Sequence, residues 1–168
     1  IEAYNNGNEQ AAFFILGHVI HLLEDAAVPD HTRNDPHGDG SPYEDFARHL
    51  MPKIDSWKKP IKLDNLDAYF DAVANYSNKN FYSKDTIDVK DYQDPKLDYI
   101  AQEGKYKYGF KADSDGNVYH LLNLVSSDQY PWSDSDDIKT ISDKNGDKIF
   151  TDYWNLLSQK DIQYGAGV

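Results

Sequence analysis

The chain has 168 residues, which is enough for one domain with a substantial hydrophobic core. Its 17 Lys and Arg residues against 29 Asp and Glu residues give a formal net charge of −12 at pH 7, which argues against tight, sequence-independent binding to nucleic acid. Cysteine is absent, so disulfides and thiolate metal sites are excluded, and any metal ion must be held by His, Asp or Glu.

The first residues, "IEAYNNGNEQ", contain neither an initiator methionine nor the layout of a signal peptide. We therefore expect a processed piece or a fragment of a longer protein. Residues 9–28 predict a helix, because nearly every position from Ala11 to Val28 is apolar and no proline occurs before Pro29. All-round hydrophobicity of this kind is typical of a buried helix.

Two more helices are predicted in the first half of the chain. Residues 30–42 are turn-forming throughout, and Ser41-Pro42 supplies an N-cap and a first-turn proline for a second helix over about residues 42–51. A third helix is predicted within residues 63–82, where apolar residues recur at three- and four-residue spacing. Residues 91–96, "DYQDPK", are the only plausible linker.

The second half predicts two β-hairpins and a closing helix. Residues 106–122 alternate around "DSDGN", and residues 138–150 repeat this pattern around Asn145-Gly146. The spacing of Asp113, Asp115 and Asn117 favours a hairpin turn over a calcium loop, because glycine stands at the fourth position and not the sixth. Residues 126–137 are predicted as a loop, acidic and solvated over 133–137, and the closing helix spans about 150–163.

The first helix carries an ionisable stripe. On an ideal helix His18, His21 and Asp25 fall within an arc of roughly 60°. Burying unpaired charge costs several kcal/mol, and a divalent cation would satisfy imidazole and carboxylate together. A hydrogen-bonded His–Asp pair is the simpler alternative, but it leaves His31, after the proline turn, without a role.

The stretch "QAAFFILGHVIHLLEDAAVPDHTRND", residues 10–35, resembles the central motif of the bacterial zinc-dependent phospholipases C. Fungal zinc nucleases that cut single strands are relatives of this family. The similarity is close over about residues 10–50 and includes the apolar entry and Gly17, His21, Asp25, Pro29, His31 and Asn34. The resemblance implies a mainly α fold, namely a helical bundle with one or two β-hairpin insertions. It also implies three bound zinc ions and an activity that hydrolyses phosphodiesters.

The resemblance also implies roles for five residues. His21 would bind one zinc ion, Asp25 would bridge two ions in the catalytic centre, and His31, His37 and Glu44 would hold another. The family separates its last His and acidic ligand by three residues, whereas six residues separate His37 from Glu44. Either His37 reaches in from the loop, or the pairing is wrong and another residue substitutes, the candidates being Asp35, Asp45 and His49.

The amino-terminal ligands of the family have no counterpart in the chain. We therefore expect one or two zinc ions here, with the remaining site completed by a missing N-terminal segment or a second chain. Residues 1–168 are interpreted as a single domain, which forms the central and C-terminal part of a larger secreted or extracytoplasmic hydrolase. The expected substrate is a phosphoester; phospholipid is a candidate, and nucleic acid is less favoured. The alternative is a non-catalytic secreted or surface binding domain that retains a structural metal site. His18 and His120 are interpreted as structural.

Overall fold

The computed structural model describes residues 2–49, 58–126, 137–141 and 148–168. The first half contains α1 (Glu2–Asn5), α2 (Glu9–Asp25), α3 (Pro29–Thr32), α4 (Pro42–His49), α5 (Leu66–Asn80) and a 3-10 turn (Lys84–Thr86). The second half contains strands β1 (Tyr99–Glu103), β2 (Tyr106–Ala112), β3 (Val118–Ser126) and β4 (Asp137–Thr140), and then α6 (Lys148–Gly165). The expected helical bundle is therefore wrong, because a four-stranded antiparallel sheet forms much of the second half and the fold is mixed.

The sheet has the order β1-β2-β3-β4. The predicted hairpin over 106–122 is confirmed as β2 and β3, which pair Ala112 with Val118 across the turn. Asp113 stabilises that turn by accepting the backbone N–H groups of Asp115 and Asn117, each at 2.9 Å. Its oxygens are thus engaged within the protein, as the hairpin interpretation requires.

The second predicted hairpin is wrong. Residues 137–140 do form a strand, but β4 pairs with β3, and residues 148–150 begin α6 instead of forming a return strand. The turn at Asn145-Gly146 lies outside the described residues, as do residues 127–136 of the predicted loop and residues 50 and 51 of the second helix. A local turn signal suggested a local strand pair, whereas the sheet pairing is between more distant segments.

The main core lies between the sheet and α6, which explains why a bundle does not form. The sheet contributes aromatic and branched side chains that suit a pleated, half-buried surface. The buried residues of this layer are Tyr108, Phe110, Tyr119, Leu121 and Leu122 from the sheet and Ile149, Phe150, Tyr153 and Leu157 from α6. The helix thus covers the sheet and is not one member of a helical core.

Helix α2 is far more exposed than predicted. Leu23 is its only buried residue, and it packs with Ala27, Tyr69 and Val73 in a small second core. Phe14, near the start of the helix, is 69% exposed. The expectation of a buried helix is wrong within the described residues, because the N-terminal half of α2 leaves large apolar side chains exposed. No helix in the described part of the chain has the length and apolar character needed to cross a membrane.

Residues 91–96 do not behave as a linker. Arg33 donates from Nη1 to the carbonyl of Gln93 at 3.3 Å, and the hydroxyl of Tyr82 donates to the carbonyl of Pro95 at 3.4 Å. This segment is therefore attached by hydrogen bonds to the loop after α3 and to the end of α5.

Tyr153 provides a test of how α6 is held to the sheet. Its fully buried hydroxyl donates to the carbonyl of Leu121 at 2.7 Å and accepts the N–H of Tyr82 at 3.2 Å. Tyr153→Phe leaves both backbone groups unpaired, so we expect the free energy of unfolding to fall by about 1–3 kcal/mol. Urea denaturation measures this loss. Tyr99→Phe is the matched control, because Tyr99 is 49% exposed, and an equal loss there would contradict the explanation.

Candidate metal centre

A sharp chain reversal after α2 builds the site. Val28 is extended, and Pro29 occupies the first turn of α3, where its missing N–H costs nothing. The next residues are anchored by Arg33, which is 2% exposed and donates from Nε to Thr86 Oγ1 at 2.6 Å and from Nη1 to the carbonyl of Asn78 at 3.1 Å. Burial lowers the pKa of Arg33 from its usual range. His31 is thereby folded back beside the end of α2.

The structure brings His31, His37 and Glu44 together. One ligand atom from each lies within 4.8 Å of the other two. Nε2 of His31 is 3.5 Å from Glu44 Oε1, and Nε2 of His37 is 4.0 Å from Glu44 Oε2. Donors around a tetrahedral zinc ion with bonds of about 2.0–2.1 Å are separated by about 3.3 Å, so small side-chain rotations would suffice to close the set.

Both imidazoles are held in the orientation that a metal site requires. Nδ1 of His31 lies 3.2 Å from the carbonyl oxygen of Asp25, and Nδ1 of His37 lies 2.6 Å from that of Asp35. A carbonyl only accepts, so Nδ1 is the donor in each of these contacts, and Nε2 is the atom that a neutral ring would offer to a metal ion. Both Nε2 atoms face the carboxylate of Glu44.

Glu44 is positioned by the start of α4. Its backbone N–H donates to Ser41 Oγ at 3.1 Å, which makes Ser41 the N-cap. In a capping box the Glu side chain would return to the N-cap N–H, but here the carboxylate lies beside the two histidines. His37 and Glu44 can therefore lie close together although six residues separate them, because the loop and the N-cap of α4 reverse the direction of the chain.

His21 and Asp25 lie beside this cluster and not within it. Nε2 of His21 is 3.9 Å from Asp25 Oδ2, and Asp25 Oδ1 is 3.9 Å from Nδ1 of His31. The nitrogen of His31 that faces Asp25 is the one already bonded to a carbonyl. The side chain of His21 is 70% exposed, so this pair forms an open half-site next to the three-residue cluster.

The other candidate ligands have different partners. The carboxylate of Asp35 accepts the backbone N–H groups of His37 and Asp85, and Asp45 pairs with Arg48 on the surface. Nδ1 of His18 and Nδ1 of His49 each lie near the carbonyl four residues earlier in their helices. His120 lies between Asp152 and Glu103, at 2.6 and 3.3 Å, away from the cluster.

An open cavity of about 480 Å³ borders the cluster and the half-site. Asp25 and Glu44 line one side, and α6 contributes Trp154, Ser158 and Asp161 to the other. Sequence reasoning missed these α6 residues. Their three- and four-residue spacing marks one helix face, but nothing in the spacing shows which element that face meets.

Comparisons of the chain with family models, with curated proteins and with solved structures find no match. The assignment of function therefore depends on the geometry of the site and on the motif resemblance.

Zinc titration of variants tests the assignment of ligands. His31→Ala removes one of the two Nε2 donors, so we expect zinc affinity to fall by more than the roughly 10–100-fold that loss of an outer-shell partner typically causes. His18→Ala is the matched control, because His18 lies on the same helix as His21 and is exposed, and it should leave affinity nearly unchanged. Isothermal titration calorimetry measures both, and equal losses would show that the histidines are assigned wrongly.

Asp161 makes stability depend on pH. Burial, with the nearby charge of Glu24, raises its pKa from 3.8 to about 7. The folded state therefore binds the proton more tightly than the unfolded state, and this contribution to stability is lost as pH rises from about 4 to 7. Asp161→Asn should raise the unfolding midpoint by a few degrees at pH 8 relative to the parent chain, and by much less at pH 4. Thermal unfolding in EDTA measures this, and an equal effect at both pH values would contradict it.

Proposed function

We propose that the chain carries part of the metal centre of a zinc-dependent phosphodiester hydrolase resembling the bacterial phospholipases C. One observation carries the proposal: His31 and His37 both turn Nε2 toward the carboxylate of Glu44, while Nδ1 of each ring lies within hydrogen-bond distance of a backbone carbonyl. A histidine oriented in this way through its other nitrogen is typical of a metal ligand.

The donor set fits zinc. Two imidazole nitrogens and one carboxylate oxygen make three protein donors, the number that a catalytic zinc ion ordinarily has when water takes the fourth position. Imidazole donors favour zinc and other transition metals over magnesium and calcium, which prefer sites built of oxygen. A zinc ion held there would supply Lewis acidity for activating water and polarising a phosphoryl oxygen.

Asp25 and His21 would have a second role. Their side chains line the cavity beside the cluster, so they are placed to bind a second ion or to orient the attacking water. Asp25 is the better placed of the two, because its carboxylate lies between His21 and His31. The role of bridging two ions comes from the resemblance, since the nitrogen of His31 that faces Asp25 is Nδ1 and not the Nε2 that faces Glu44.

The cavity would hold the organic part of the substrate. Its volume of about 480 Å³ falls within the range typical of small-molecule sites, and Tyr43 and Trp154 provide aromatic wall. A small phosphodiester fits these dimensions better than a long nucleic acid, for which the charge of −12 is also unfavourable. Phospholipid stays among the candidates, and the resemblance supports a location outside the cytoplasm.

A non-catalytic binding domain with a structural metal site is the second candidate. It is favoured by the half-site, because among the described residues the ligand atoms of His31, His37 and Glu44 converge and those of His21 and Asp25 have no converging third partner. Glu24 lies 3.8 Å from His21, but at Nδ1 and not at the Nε2 that faces Asp25. The two candidates differ in turnover and not in metal binding, so measurements of both distinguish them.

Hydrolysis of bis(p-nitrophenyl) phosphate by the zinc-loaded protein tests the catalytic proposal. Asp25→Asn should lower kcat by at least about 100-fold, because metal-assisted charge stabilisation is typically worth several kcal/mol and each 1.4 kcal/mol is tenfold in rate. Asp71→Asn, an exposed acidic position on α5, should leave kcat unchanged. Stoichiometric zinc without turnover in the intact protein would support the binding domain instead.

A further inference from the structure

His37 has an unusual backbone conformation. Its φ is +30°, in the region where L-residues other than glycine are disfavoured. Strained conformations of this kind persist only where surrounding contacts determine them, and they are concentrated at functional sites. The contacts that determine this one come mainly from one neighbour, Asp35.

Asp35 is 3% exposed and engages four polar groups. Its Oδ1 accepts the N–H of His37 at 3.0 Å, and its Oδ2 accepts the N–H of Asp85 at 3.0 Å. Its carbonyl accepts from Nδ1 of His37 at 2.6 Å, and its own N–H donates to the carbonyl of Asp30 at 2.9 Å. Asp35 thus contacts both the backbone and the ring of His37.

The second oxygen of Asp35 links the loop to a distant segment. Asp85 belongs to the 3-10 turn, whose Thr86 also accepts from Arg33, and whose Lys84 pairs with Asp39. The loop that carries His37 is therefore attached to residues 84–86 at three points. One of these attachments is made by the buried carboxylate of Asp35, and the same carboxylate also accepts the N–H of His37.

We propose that Asp35 is a positioning residue of the metal centre, which holds the turn at residues 35–37 so that Nε2 of His37 faces Glu44. This inference depends on the metal-binding part of the proposed function. Asp35 is not in the group of residues whose ligand atoms converge, and its two carboxylate oxygens each accept a backbone N–H instead. Its effect on the metal is exerted through the orientation of His37.

The alternative is that Asp35 only stabilises the fold, and the chain offers a matched control for that role. Asp113 is also a buried carboxylate, 7% exposed, and accepts the backbone N–H groups of Asp115 and Asn117 in a turn. Asp113 lies in the β2–β3 turn, away from His37. Asp113→Asn therefore removes a buried turn-capping charge, and with it the oxygen that accepts from Tyr76 and from the Asn117 amide, without changing a hydrogen bond to any candidate ligand.

The experiment compares Asp35→Asn with Asp113→Asn. An asparagine side chain has only one acceptor oxygen, so one backbone N–H loses its partner in Asp35→Asn. Zinc and Co²⁺ affinities are measured by calorimetry, the visible spectrum of bound Co²⁺ reports its coordination, and thermal unfolding in EDTA reports stability without metal. We expect Asp35→Asn to lower metal affinity by about 10–100-fold and to change the Co²⁺ spectrum, whereas Asp113→Asn changes neither at a comparable loss of stability.

A second variant covers failure of Asp35→Asn to fold. Asp35→Glu keeps the charge and both acceptor oxygens but moves them by one methylene, so we expect a folded chain with weaker metal binding and an altered Co²⁺ spectrum. Parent-like affinity and spectrum in the folded Asp35 variants would overturn the positioning role alone, and so would equal losses in Asp113→Asn. Metal binding without turnover would remove only the catalytic proposal, and a parent chain that binds no metal would overturn both.

Discussion

The buried guanidinium of Arg33 is the interaction on which the site depends. It joins the loop after α3 to the end of α5, to the 3-10 turn and to residue 93, which are separate in sequence. Burial of this charge is offset by these bonds and by the nearby negative charge of Asp94, although Nη2 is buried without a hydrogen-bond partner in the described residues. Without these bonds the loop between His31 and Glu44 would still keep its attachments through Asp35 and Asp39. The spacing of the candidate ligands therefore depends in part on a guanidinium that bonds to none of their side chains.

The same arrangement explains why α2 looks anomalous in isolation. The C-terminal half of the helix is held by Leu23 against α5, and it delivers His21 and Asp25 to the cavity. The N-terminal half carries large apolar side chains that no described element covers. Packing within the described residues therefore does not explain why α2 is apolar on all sides. The candidate site does explain why polar residues stand near the C-terminus of the helix.

The sequence was informative where local chemistry decides the structure. The helix predicted over residues 9–28 formed as α2 but ended at Asp25, and Pro29 began the next helix instead. The glycine-containing turn at residue 116 marked the β2–β3 hairpin, and Ser41-Pro42 started α4. It failed where the decision depended on distant partners. Strand β1 and the pairing of β4 with β3 have no local signal, and the segment after Asn145-Gly146 resembled a strand although it continues into a helix that covers the sheet.

The candidate site was predictable in part for the same reason. Helical spacing placed His21 beside Asp25, and the proline turn suggested that His31 returns toward them. Spacing alone did not separate His37 from Asp35 as a ligand, because that choice depends on φ at His37 and on the N–H of Asp85, 50 residues away. The contribution of α6 to the cavity depends on tertiary packing.

Charge connects the metal centre to the choice of substrate. Glu24, Asp25, Glu44 and Asp161 all line the cavity, and Arg48 is the single Lys or Arg among its described lining residues. A phosphodiester anion entering this space without a cation would meet net negative charge at short range, where repulsion is strongest. One or two divalent ions on the cluster and the half-site would reverse the sign of the local field. Under the proposed function, binding of a phosphoester anion to this cavity would therefore depend on prior binding of the ion.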